Sequence, residues 1–133
     1  MVGEHITVGV DGSPAGMAAL EWALDEGIRC GYRVHVVTVA RRGESEDPAR
    51  ARAVETAIFA HPEASVWRRL LVGSPGAELV RVASDSALLV VGSCGTGGAL
   101  ATLLGSVSAH CVRHAPCPVV VVPATKPSVE AVR

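Results

Sequence analysis

Residues 87–122 read ALLVVGSCGTGGALATLLGSVSAHCVRHAPCPVVVV. The stretch opens on Ala87–Val91, an apolar run of strand length rich in Val and Leu. Glycines follow at 92, 95, 97 and 98, and Gly105-Ser106 then breaks a pattern that is otherwise continuously helical. A glycine in a helix interior costs about 1 kcal/mol against alanine. A fresh helix start at Ser106, running to near His114, is therefore the better reading. Pro118–Val122 closes the stretch as another apolar strand. Strand, glycine-rich turn, helix and strand in this order make a parallel unit with a right-handed crossover.

The same alternation extends toward the N-terminus. His5–Val10, Arg33–Val39 and Ser65–Val72 are further strand-length apolar runs. Between the first two, Val8-Gly-Val-Asp-Gly-Ser13 leads into Pro14, where Ser13 caps a helix whose first turn accepts the proline. That helix is expected from Pro14 to about Arg29, with Met17, Leu20, Leu24 and Ile28 on its buried stripe and Gly31 as its stop. A second helix is expected over Pro48–Phe59, with Ala51, Val54 and Ile58 inward, after an exposed loop at Arg41–Asp47. Gly73-Ser-Pro-Gly76 opens a third over Ala77–Ser84. The order is β-α-β-α-β-α-β-α-β. It predicts an α/β fold: one open five-stranded parallel sheet, order 3-2-1-4-5, with helices on both faces. Residues 1–123 form the domain, and 124–133, which include Lys126-Pro127, read as a mobile tail.

Composition agrees with that architecture. Of the 133 residues, 49% are hydrophobic but only 3% are aromatic, so the interior must be Val, Ala and Leu. With 12 basic and 13 acidic side chains, the net charge of −1 gives no footprint for nucleic acid or an anionic membrane. The pairs Arg41–Arg42 and Arg68–Arg69 read as solvated surface. No apolar stretch reaches the roughly 20 residues that span a bilayer, and Met1-Val-Gly-Glu-His has no signal-peptide pattern, so a cytoplasmic location is expected. Cys30, Cys94, Cys111 and Cys117 lack metal-site spacing and read as reduced thiols. Among the histidines only His110 and His114 have helical metal spacing, and no third ligand accompanies them. A response-regulator receiver is excluded, because Gly73 stands where it needs an Asp after strand three.

Ligands of open parallel sheets bind beyond the carboxyl ends of the strands. There the chain presents Val10, Asp11, Gly12 and Ser13 after strand one, Val39 after strand two, and Gly92 to Gly98 after strand four. Glycine turns aim several N–H groups into one concavity, and a helix beginning at Ser106 adds its free amides and positive dipole end. Both suit phosphate oxygens. For Asp11, ligand contact competes with a turn-forming or helix-capping role. The hydroxyls of Ser106 and Ser108 are further candidate donors.

The spacing Gly92-x2-Gly95-x9-Gly105-Ser106 resembles the ATP-binding signature of the universal stress protein family. Val8–Ser13, Val72–Ala77 and Arg113–Val122 resemble its opening loop, third turn and closing strand. The resemblance implies an adenine-nucleotide α-hydrolase-like fold and an adenine nucleotide ligand, ATP or else ADP or AMP, with Mg²⁺ as a possible companion. It implies that Asp11 meets ribose or a metal-bound water, that Val39 meets adenine, and that Gly92 lies near ribose. Gly95, Gly105, Ser106, Val107 and Ser108 would then surround the phosphates. Family members often carry a basic residue where this chain has Cys94 and Thr96. From Gly92 to Ser108 there is none, so backbone amides and Mg²⁺ are expected to balance the phosphates. A nucleotide-dependent switch or sensor is the leading expectation. A slow ATPase and a nucleotide-free interaction module with an unidentified protein partner remain as alternatives. The apolar run Val119–Val122 at a sheet edge predicts a homodimer through that strand, as the resemblance also implies.

Overall fold

Parallel strands bury both faces, and the Ile, Val and Leu of β1 (His5–Gly9), β2 (Arg33–Ala40) and β4 (Leu88–Gly92) answer that need. The computed structural model describes residues 4–93 and 104–124. Strands β1, β2, β3 (Val66–Val72), β4 and β5 (Val119–Val122) alternate with helices α1 (Pro14–Cys30), α2 (Pro48–Phe59), α3 (Pro75–Val82) and α4 (Ser106–His114). The sheet is parallel with order β3-β2-β1-β4-β5, as expected. The expected tail lies, from residue 125 onward, outside the described residues.

Two apolar layers sandwich the sheet. On one face Ile6, Val8, Val34, Val36 and Val90 pack against Leu20 and Leu24 of α1 and Val54 and Ala57 of α2. On the other, Val37, Leu89 and Val91 meet Leu79 of α3 and Cys111 of α4. The registers Thr7↔His35 and His35↔Trp67 place a polar and aromatic row on this second face, near the amino ends of the strands.

Helix α1 begins as its sequence requires. The Ser13 hydroxyl accepts from the Gly16 amide at 3.0 Å, and Pro14 occupies the first turn. Its buried stripe differs from expectation at one end: Ile28 is 37% exposed, while Gly27 is buried. A side chain at Gly27 would meet Val34 Cγ2 at 2.5 Å, so a residue without Cβ lets the helix lie directly on β2. Position 28 is then rotated toward solvent. Helix α3 starts at Pro75, two residues earlier than Ala77, because proline suits a first turn.

Candidate functional site

Between β1 and β4 the chain leaves the sheet in opposite directions. After β1 it turns into α1 on one face, and after β4 it reaches α4 on the other. The two departures open a crevice at the carboxyl ends of the strands. A cavity of about 430 Å³ occupies it. Its walls include Val10, Asp11, Val39, Gly92, Gly105, Ser106, Val107 and Ser108, eight of the residues anticipated from sequence. Gly12 and Ser13 stand behind Asp11 and do not line it. Gly95 lies outside the described residues, as do Cys94 and the glycines at 97 and 98.

The loop after β1 is fixed by its own hydrogen bonds. Asp11 Oδ1 accepts from the Ser13 amide at 3.0 Å and from the Ser13 hydroxyl at 2.7 Å. The same hydroxyl accepts from Gly16, so carboxylate, serine and helix start form one chain of bonds. Both contacts fall on Oδ1. Gly12, at φ +85°, turns the loop in the left-handed region that glycine adopts without a Cβ clash. Gly92 approaches the start of α1 so closely that a Cβ would lie 2.6 Å from the Ala15 carbonyl carbon.

Across the crevice, α4 begins with Gly105 in extended conformation at its cap, as the break at Gly105-Ser106 predicts. The first helical turn is closed by the Ala109 amide donating to the Gly105 carbonyl. The amides of Ser106, Val107 and Ser108 precede that bond and have no partner within the helix ladder. The Ser108 side chain is different. Its hydroxyl accepts from the Gly105 amide at 2.9 Å and donates to the Gly105 carbonyl at 3.2 Å, and the residue is 1% exposed. The expectation that this hydroxyl serves as a ligand donor is corrected: it is turned back on the helix cap. Ser106, by contrast, is exposed.

Sequence reasoning missed the charged wall. Arg41 and Glu44, from the segment between β2 and α2, and Arg50, from the first turns of α2, line the same cavity. The absence of basic residues from Gly92 to Ser108 therefore does not make the crevice free of cations, and Arg41 is not merely solvated surface. Arg41 follows directly on Val39-Ala40 at the carboxyl end of β2, and that adjacency was a usable signal. No local pattern marked Arg50. Glu44 Oε1 accepts from the Arg41 amide at 3.0 Å and closes the turn. Ser93, also on the wall, has a buried hydroxyl without a hydrogen-bond partner.

The remaining candidates lie away from the cavity. Burial pushes the Cys111 thiol up to about 11, and burial also raises that of Cys117, so both stay protonated near neutral pH. The rings of His110 and His114 are 4.5 Å apart, and among the described residues no third ligand joins them. Glu21, Asp25 and His61 do bring three ligand-type atoms together, where α1 meets the end of α2. Trp67 stacks on His35 at 4.4 Å beneath the Arg33 guanidinium, and Trp22 packs at the edge of the α1 core.

The universal stress protein family model matches residues 3–123. The chain belongs to that family. A universal stress protein of Mycolicibacterium smegmatis is 34% identical over 131 residues, covering 88% of this chain and 45% of its own length. The chain spans about half the length of the curated relatives it matches. Among solved structures, a universal stress protein in complex with cAMP superposes with a TM-score of 0.75 at 26% identity, covering 94% of this chain and all of that one. A universal stress protein from Archaeoglobus fulgidus in complex with dAMP shares the fold, with a TM-score of 0.66 at 23% identity over 92% of this chain and 99% of that one. No helix of the described residues is long and apolar enough to cross a membrane.

Proposed function

We propose that this domain binds an adenine nucleotide, ATP or its di- or monophosphate, in the crevice between β1 and β4, and acts as a ligand-dependent switch or sensor in the cytoplasm. The observation that carries the reading is the convergence of the first-turn amides of α4, which have no partner in the helix ladder, with Asp11 and the β2 end on one cavity of about 430 Å³. Helix N-termini favour anions through both free N–H groups and dipole. A structural neighbour that binds cAMP is in keeping with an adenine ligand.

In this reading Val39 meets the base through its backbone and Gly92 lies near the ribose. Gly95, Gly105, Ser106, Val107 and the Ser108 amide surround the phosphates. Asp11 takes a ribose hydroxyl, or water on Mg²⁺, with Oδ2, since Oδ1 is held by Ser13. Mg²⁺, when bound, would neutralise phosphate charge, with Asp11 among the carboxylates lining the cavity that would help to hold its water. Hydrolysis is slow at most. Of the cavity's two described carboxylates, Asp11 is committed to the ligand in this reading and Glu44 holds the Arg41 amide, so neither is assigned as a general base.

Among the described residues, strand β5 pairs only with β4 and its other edge is unpaired. Val119 to Val122 are all half-buried, and an apolar edge of this kind suits pairing with a second copy. A homodimer through β5 follows, and a monomer by light scattering at micromolar concentration rejects it. The ligand reading is tested by equilibrium titration of ATP, ADP and AMP with and without Mg²⁺. Saturable binding of at least one supports it, and no binding of any at millimolar concentration overturns it.

A further inference from the structure

Arg50 reaches the cavity from a helix that has no part in the glycine signature. Its stem lies across the loop after β1: a Cβ on Gly12 would stand 3.1 Å from both Arg50 Cγ and Cδ. The left-handed turn at Gly12 thus provides the space through which Arg50 enters the crevice. Arg50 Nε is buried and has no hydrogen-bond partner, and among the described residues no carboxylate pairs with the guanidinium. Ser93 presents a second buried and unpartnered group lining the same cavity.

A buried donor left unmade is costly. Two such groups lining one cavity favour an occupant that supplies acceptors. An arginine in that position favours an anion of fixed geometry, because its planar fork matches phosphate oxygens. Glu44, which also lines the cavity, makes no ion pair with Arg50 and accepts instead from the Arg41 amide through Oε1. We propose that Arg50 is a phosphate-binding residue of this pocket and that, with Ser93, it makes the site select phosphorylated adenine nucleosides over adenosine. The assignment rests on the nucleotide reading above and adds the cation that the glycine-rich segment lacks.

The test compares wild type, Arg50→Met and Arg50→Lys by calorimetric titration with ATP, AMP and adenosine. Methionine keeps a stem over Gly12 and removes the fork. Loss of a charge-assisted hydrogen bond is expected to weaken AMP and ATP by about ten-fold or more. Adenosine binding should be unchanged, and Arg50→Lys should recover part of the loss through charge alone. Unchanged adenosine affinity also reports that the variant pocket is intact. If Arg50→Met binds AMP and ATP as wild type does, the assignment is overturned. If it weakens adenosine equally, the guanidinium serves the nucleoside and the assignment is again overturned. Wild-type protein that binds none of the three ligands removes the nucleotide reading itself, a result plainly different from an indifferent Arg50.

Discussion

His35 should make the fold acid-sensitive in a way that one substitution can isolate. It lies in β2 between Thr7 and Trp67, is 3% exposed, and neither ring nitrogen has a hydrogen-bond partner. Burial pulls its pKa down from 6.5 to about 4, with Arg69, His5 and Arg33 acting in the same direction and Asp85 against it. The folded protein thus holds the ring neutral, while the unfolded chain protonates it near pH 6.5. Between these values the unfolded state binds the extra proton, so stability rises with pH through the window and is lost on acidification. Arg69 is exposed and Trp67 only partly buried, so solvent screens some of this effect. A loss of about 2 kcal/mol between pH 7 and pH 4.5 is the resulting magnitude. The assay is urea unfolding followed by tryptophan fluorescence at both pH values, for wild type and His35→Phe. Phenylalanine keeps a ring on Trp67 and removes both unpartnered nitrogens, and such replacements are often neutral or stabilising. Groups remote from His35 contribute equally to both proteins and cancel in the difference. The variant should lose about 2 kcal/mol less than wild type over the interval. Equal losses would refute the claim that the buried ring excludes its proton.

His61 should behave with the opposite sign. Its pKa is raised, first by its hydrogen bond to the Ala57 carbonyl and then by Glu21 and Asp25, which lie 3.3 and 3.2 Å from Nε2. That contribution is present below pH 6.5 and disappears as pH rises through the raised folded value. His61→Gln should cost up to about 1 kcal/mol more at pH 6 than at pH 9, read from urea midpoints. Gly92→Ala places a methyl 2.6 Å from the Ala15 carbonyl carbon and 2.7 Å from its oxygen. Both are backbone, and the resulting shift should cost about 1–3 kcal/mol; a melting temperature equal to wild type would show that β4 and α1 are not so close. Ser13→Ala removes the cap of α1 and the anchor of Asp11, with an expected loss of about 1 kcal/mol in the same denaturation assay.

The fold was legible because its signals are local. Each strand is a short apolar run, and each helix start has a residue whose backbone preference belongs there, such as Pro14 after Ser13, Pro48 after Asp47, and Ser106 after Gly105. The misplacement of Ile28 shows where locality ends. Periodicity identifies an apolar stripe, but its width is set by how near the helix lies to the sheet, and Gly27 brings it nearer than side-chain size alone suggests. The inward direction of Val54 was readable and Ile58 packs partly buried against the same core, whereas the burial of Ala57 was not anticipated.

The same distinction divides the candidate site. Backbone donors leave a mark in sequence, because they need glycine at particular spacings and a helix start at a particular residue. Side-chain charge leaves no such mark. A guanidinium on a long stem can come from any element within reach of the crevice, and here it comes from α2, over a glycine that belongs to another loop. The lack of basic residues from Gly92 to Ser108 therefore describes one wall of the cavity and says nothing of the other. The Ser108 hydroxyl illustrates the converse: a polar group at the right spacing can be taken up by the cap it helps to form.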